Sequence, residues 1–148
     1  MNFSKTDISD FSILKNGIDS NLEIIRHDET GYYNITKIAN LINKLNNELG
    51  GIPPNSDIRS KRTKDWLSNA STKVLINVCK TYTDLDDVVY ELNKGTRNEF
   101  RGTYVHRYLY DQFLNWLDVR YAIRISRLLD DIHQEANKKI IKPKDDKI

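Results

Sequence analysis

The sequence has one cysteine, Cys79, among its 148 residues, which excludes an internal disulfide framework. A zinc finger is excluded as well, because the other soft ligands, His27, His106 and His133, are far apart along the chain. No apolar run is long enough to cross a bilayer, and acidic side chains interrupt residues 1–25 where a signal peptide would be apolar. We therefore expect no metal, no cofactor and no membrane association, and a protein of the reducing cytoplasm or nucleus.

Motifs of catalysis are also lacking. The glycine pair Gly50-Gly51 is followed by prolines and not by the Gly-Lys-Ser/Thr of a phosphate-binding loop. No local signature of a nucleophilic triad occurs, so we predict that the chain is not an enzyme. Asp84, Asp86 and Asp87 could bind a divalent ion in a nuclease, but an acidic turn between a helix and a strand is the favoured interpretation.

The net charge of +2 conceals a strong segregation of charge along the chain. Residues 1–30 hold six acidic and three basic side chains and are net negative. Residues 59–80 hold six basic side chains and one acidic side chain, and residues 94–107 hold four basic side chains and one acidic side chain. Two local positive fields of this kind favour a polyanionic partner.

The length fits one domain, which we place at residues 21–136, between a loosely held lead-in over 1–20 and a disordered charged tail over 137–148. Periodicity and turn residues predict the elements of this domain. They are a β-hairpin over 22–34, a helix over 35–47 capped by Asn34, helices over 57–68 and 72–82, strands over 87–93 and 100–105, and helices over 107–117 and 118–136.

The helices over 57–68 and 72–82, joined by a tight turn, form a helix-turn-helix candidate. In the second helix we expect an inward stripe of Val74, Leu75, Val78, Cys79 and Tyr82. Lys73, Asn77 and Lys80 share the opposite face at i, i+4 and i+7. Such a face suits the major groove of DNA, where asparagine pairs with adenine and lysine reaches guanine or phosphate. A merely solvated helix face is the alternative.

Further basic residues flank this helix and predict contacts with the DNA backbone. Lys61, Arg62 and Lys64 lie on the preceding helix. Lys94, Arg97 and Arg101 surround the glycine turn of the hairpin over 87–106, which could follow a groove of strong negative potential. The alternative is a hairpin edge kept soluble by its charge.

Four blocks of the sequence resemble the KilA-N domain family of large DNA viruses and phages, which is related to the fungal APSES domain. Gly31-Tyr32-Tyr33-Asn34-Ile35-Thr36-Lys37 is similar to the family's opening block, and Lys64-Asp65-Trp66-Leu67 to its next helix. Phe100-Arg101-Gly102-Thr103-Tyr104-Val105-His106 resembles the family's R-G-T-Y-V-H block, and the residues from Trp116 to Ser126 its closing helices.

The resemblance implies an α+β, winged-helix-like fold that binds double-stranded DNA inside a host cell. It implies a close backbone approach at Gly102, a hydrogen bond of His106 at a strand–helix junction, and a phosphate contact by Arg101. A protein–protein interaction module on the same fold, with a viral or host partner, remains the alternative. Its surfaces would be the acidic N-terminal segment and the helix face that carries Arg120.

Overall fold

Two groups of strands are each followed by a group of helices in the structure. It is a computed structural model that describes residues 2–5, 10–15, 21–49 and 62–145, with side chains over 10–15, 21–48 and 62–134. The elements in chain order are β1 (Asn2–Lys5), β2 (Phe11–Lys15), β3 (Ile24–His27), β4 (Tyr32–Asn34), α1 (Ile35–Leu49), α2 (Thr63–Ser68), α3 (Ala70–Thr83), β5 (Val89–Leu92), a 3-10 turn (Asn98–Phe100), β6 (Gly102–Val105), α4 (Arg107–Leu117) and α5 (Val119–Asp145). The predicted mixture of helices and antiparallel strands is confirmed.

The described strands form one antiparallel sheet in the order β1-β2-β3-β4-β6-β5. The two predicted hairpins are adjacent in it, because β4 of the first pairs with β6 of the second. Tyr33 lies opposite Val105, and Asn34 lies opposite Tyr104. Pairing between these two central strands fixes the position of the second hairpin in the sheet.

Side chains alternate between the two faces of the sheet, as strand geometry requires. Leu14, Ile24, Tyr33 and Val105 belong to the main core, which α1, α4 and α5 complete with residues such as Ile38, Phe113 and Ile125. The opposite face carries a second cluster, made of Phe11, Tyr32, Phe100 and Tyr104. The sheet is therefore buried on one face by helices and on the other largely by its own aromatic rings.

The N-terminal strands correct one expectation from the sequence. Residues 1–20 are predicted to be a loosely held lead-in, but β2 pairs with β3 and contributes Phe11 and Leu14 to the two cores. β1 pairs in turn with β2. The prediction misses these strands because each is four or five residues long and is stabilised by partners distant in sequence.

Helix boundaries agree with the sequence for α1 and α4 and differ for α2 and α5. The helix predicted over 57–68 is present as α2 from Thr63, and residues 57–61 lie outside the described residues. The predicted disordered tail is wrong for residues 137–145, whose backbone continues α5. Ala136, Lys138 and Lys139 are good helix formers, which favours continuation of the helix.

The apolar residues of α5 divide between the core and the surface. Ala122, Leu129 and Ile132 are buried, whereas Val119 and Ile123 are exposed. In the part of the chain that the structure describes, no helix is both long and apolar enough to cross a membrane.

Candidate nucleic-acid interface

Eight of the nine residues predicted to contact DNA are described, and all eight are exposed. Arg62 and Lys64 lie at the start of α2, Lys73, Asn77 and Lys80 lie on α3, and Lys94, Arg97 and Arg101 surround the turn between β5 and β6. Lys61 lies outside the described residues. The structure therefore gathers the predicted residues into two groups, one on the helix pair and one on the second hairpin.

The helix pair is arranged so that α3 projects one long face to solvent. Asn69 alone separates α2 from α3 and has an extended backbone, which turns the chain sharply. α2 is anchored by Trp66, which is buried and meets Phe113 of α4 edge-on at 5.2 Å. The buried side of α3 is formed by Thr72 and Cys79. Burial also raises the pKa of the Cys79 thiol, so this cysteine is an inert core residue.

The outer face of α3 bears positive charge and no negative charge. Lys73 and Lys80 are exposed, and neither forms an ion pair with any described residue. The helix contains no acidic residue between Ala70 and Thr83. Two cations without local counter-charges create a field that attracts a polyanion.

Three residues on this outer side contradict the sequence prediction. Val74, Val78 and Tyr82 are predicted to face inward, but their exposed fractions are 62%, 44% and 84%. The apolar residues of α3 cover more than half of the helix circumference, and only the side that holds Thr72 and Cys79 meets the core. Helical spacing alone gives no means of choosing the buried side.

A cleft of about 410 Å³ lies beside the first turn of α3. Its walls come from α2, α3 and α4 and combine tryptophan with polar side chains, namely Trp66, Asn69, Ser71, Thr72, Leu75, Gln112, Asn115 and Trp116. The residues that line the cleft include no charged side chain, so it offers hydrogen bonds and ring surface at the start of α3.

The turn of the second hairpin is held by its own side chains. The Arg101 Nε donates a hydrogen bond to the carbonyl oxygen of Thr96 at 3.0 Å, and Arg97 pairs with Glu99 at 2.7 Å. Phe100 is buried between these arginines and fixes the turn to the aromatic cluster. Arg97 and Arg101 thus stay exposed while the backbone that carries them is restrained.

The base of this hairpin is tied to the start of α1 by a set of polar contacts. Asn34 accepts a hydrogen bond from the Lys37 amide at 2.8 Å, as the predicted N-cap requires, and donates one to the Arg101 carbonyl oxygen at 3.1 Å. The Thr103 amide donates to the Thr36 Oγ1 at 3.0 Å. The close approach expected at Gly102 is confirmed, because a Cβ there would lie 2.7 Å from the Thr36 Cβ.

The junction between β6 and α4 is capped by His106, as the resemblance implies. Its Nδ1 accepts a hydrogen bond from the Tyr108 amide at 3.1 Å, so the proton of the neutral ring resides on Nε2. The ring also meets Tyr32 edge-on at 5.6 Å. Burial lowers the pKa of His106 below its ordinary value of 6.5, which keeps the ring neutral and the cap intact.

The acidic residues at the end of α3 form a turn. Asp84 closes the helix with a left-handed backbone at φ 56°, and Asp86 and Asp87 are exposed. The Asp87 carbonyl oxygen accepts a hydrogen bond from the Tyr32 hydroxyl at 2.6 Å. Over residues 10–15, 21–48 and 62–134, no group of three potential metal ligands comes together, so the nuclease interpretation has no site there.

The arginine face of α5 is engaged by neighbouring side chains. Arg120 pairs with Asp118 at 2.7 Å and donates a hydrogen bond to Asn46 of α1 at 3.2 Å. Burial of Asp118 opposes its ionisation, but the hydrogen bonds from Arg120 and Asn46 outweigh it and lower the pKa of this carboxyl. Arg120 therefore joins α1 to α5.

Comparison with known proteins gives a consistent result. The KilA-N domain matches residues 17–135. Relatives in Acanthamoeba polyphaga mimivirus include the KilA-N domain-containing proteins R904, 28% identical over 75% of this chain, L4, 33% identical over 56%, and L37, 23% identical over 91%. The chain spans less than a third of the length of each, namely 29%, 20% and 26%. No solved structure matches this chain.

Proposed function

Because the chain belongs to the KilA-N domain family, whose domains are in general non-catalytic and bind DNA, we propose that it binds double-stranded DNA as a winged-helix-like domain of a viral KilA-N-type protein. α2 and α3 are the helix-turn-helix, and the β5–β6 hairpin is the wing. Such a role belongs in the cytoplasm or the nucleus of the host cell.

The observation that carries this proposal is the outer face of α3. It is exposed along its length, it holds Lys73, Asn77 and Lys80, and the helix has no acidic residue. An α-helix with its side chains is about 10–12 Å across, which matches the width of about 12 Å of the major groove. α3 is therefore the element best suited to enter DNA.

Contacts divide between the backbone and the bases. Lys61, Arg62 and Lys64 before α3, and Lys94, Arg97 and Arg101 on the hairpin, neutralise phosphates. Lys73, Asn77 and Lys80 face the base edges, with Asn77 suited to the paired donor and acceptor of adenine. Lys64 and Lys94 are the most available of the described cations that we assign to phosphates, because Arg62 is paired with Asp65, Arg97 with Glu99 and the Arg101 Nε with the Thr96 carbonyl oxygen.

The first test is fluorescence anisotropy of the full chain with an AT-rich and a GC-rich duplex over a salt series. Affinity should fall steeply with salt, by about 0.9 log units per phosphate contact for each log unit of salt. Lys64→Ala should weaken both duplexes equally and reduce the salt slope by about 1. Asn77→Ala should reduce the difference between the duplexes.

A control is Lys44→Ala, which removes an exposed lysine of α1 that pairs with Glu48 and should leave both affinities unchanged. Absence of binding even at low salt would contradict the proposal and favour the protein-interaction module. Equal effects of Lys64→Ala and Asn77→Ala on every duplex would contradict the division between phosphate and base contacts.

A further inference from the structure

An apolar stripe runs along the exposed side of α3. Val74, Val78 and Tyr82 recur at intervals of four, so they lie in one row on the exposed side of the helix. Asn77 is three residues from Val74 and therefore its neighbour on the surface. The row is apolar and exposed, and the fold provides nothing among the described residues that buries it.

The side chains around the row are short. Ala70 and Thr81 are exposed on the same side of the helix, and Thr81 turns its hydroxyl back to the Asn77 carbonyl oxygen at 3.0 Å. Alanine, valine, threonine and asparagine let the backbone of a helix approach a flat surface closely. Lys73 and Lys80, at one border of this face, can extend past it.

Charge selects the kind of surface that this face meets. α3 carries two lysines that form no ion pair with any described residue, and it contains no carboxylate. Such a helix complements a polyanion. The major groove of DNA combines a dense negative potential with one apolar group, the C5-methyl of thymine. Aliphatic side chains pack against this methyl, which is the apolar group that the base edges present in the major groove.

We propose that Val74 and Val78 read thymine methyl groups in the major groove and thereby give the protein a preference for sites rich in A·T pairs. The inference rests on the proposed function and adds its specificity. Asn77, adjacent to Val74, pairs with adenine, so the asparagine and the valine together read both members of an A·T step. Tyr82, at the C-terminal end of the row, is placed to meet the backbone at the edge of the groove.

The test compares an AT-rich duplex with the same duplex in which deoxyuridine replaces thymidine. This replacement deletes the methyl groups and keeps every hydrogen-bonding group. Binding of the full chain is measured by anisotropy at one salt concentration. We expect the affinity to fall about fourfold for each contacted methyl, the value of burying one CH₂-sized group.

Variants assign the effect to the stripe. Val74→Ala and Val78→Ala should each weaken binding of the thymidine duplex and leave binding of the deoxyuridine duplex almost unchanged. Both residues are exposed, and alanine is a better helix former than valine, so the variants fold. Val119→Ala, which truncates a valine with an exposed fraction of 58% on α5, is the matched control and should change neither affinity.

Two results would overturn the inference and leave the proposed DNA binding in place. If wild-type protein binds the two duplexes equally while keeping a steep salt dependence, DNA binding stands and methyl reading is wrong. If the deoxyuridine duplex binds more weakly but Val74→Ala and Val78→Ala keep the whole difference, the discrimination originates elsewhere. Failure to bind either duplex at low salt would remove the proposed function together with the inference.

Discussion

At the scale of single residues, the junction between the two hairpins depends on a few side chains that the sequence already marks. Asn34 caps α1 and also holds the Arg101 carbonyl oxygen, while Thr36 holds the Thr103 amide. Gly102 lies between these contacts with a backbone at φ 141°, a conformation that side chains rarely adopt. The hairpin is therefore positioned by the residues that begin α1.

Gly102→Ala should destabilise the protein by roughly 2–4 kcal/mol, because the new Cβ would both strain the backbone and overlap Thr36. Urea unfolding followed by circular dichroism measures the effect. Gly95→Ala is the matched control: Gly95 has φ 74°, but a Cβ there meets no atom within 4 Å. Its cost should be about 1 kcal/mol. Equal costs for the two variants would show that Gly102 has no role in close packing.

His106 predicts a dependence of stability on pH. Because its pKa is lowered in the folded protein, the unfolded chain binds the proton more readily. The contribution of the neutral cap is therefore complete above pH 6.5 and is lost as the pH falls toward the lowered value. The urea concentration at the unfolding midpoint should decrease when the pH is lowered from 7.5 to 5.0. The decrease should be smaller in His106→Asn, which keeps an acceptor that does not titrate. Identical falls in both proteins would rule out His106 as the source.

At the scale of elements, β2 supports the second hairpin through the aromatic cluster on the sheet face opposite the helices. Phe11 of β2 stacks on Phe100 of the hairpin turn, with ring centres 4.7 Å apart and planes 5° apart. It also stacks on His27 at 4.9 Å. β2 lies before residue 17, where the match to the KilA-N domain begins. This strand, outside the matched residues, packs its aromatic ring under the proposed wing.

Phe11→Ala should lower the free energy of unfolding by about 3–5 kcal/mol, since it removes a buried ring from a stacked cluster. Phe11→Leu keeps the apolar contact, loses only the stacking, and should cost markedly less. Urea unfolding of both variants checks the order of the effects. A loss below about 1 kcal/mol in Phe11→Ala would show that the hairpin cluster is stable without β2.

At the scale of the whole molecule, charge and burial separate two regions. The basic residues that are predicted to contact DNA lie within 59–80 and 94–107. Those that the structure describes are all exposed. The acidic residues that follow α3, namely Asp84, Asp86 and Asp87, lie beyond its last helical residue. A net charge of only +2 is thus compatible with the local positive field that the proposed DNA binding requires.

The sequence by itself determined the family, both hairpins, the cap at Asn34, the close approach at Gly102 and the cap at His106. The hairpins and the cap at Asn34 depend on turn glycines, capping residues and local spacing, which act between residues a few positions apart. The family, the close approach at Gly102 and the cap at His106 follow from the resemblance of sequence blocks. Only the tertiary structure decided that β1 and β2 join the sheet and that Val74, Val78 and Tyr82 face outward. The physical reason is the same for both, because pairing and burial depend on which distant surfaces meet. A helix with apolar residues on more than half of its circumference can bury only the side that the rest of the fold reaches.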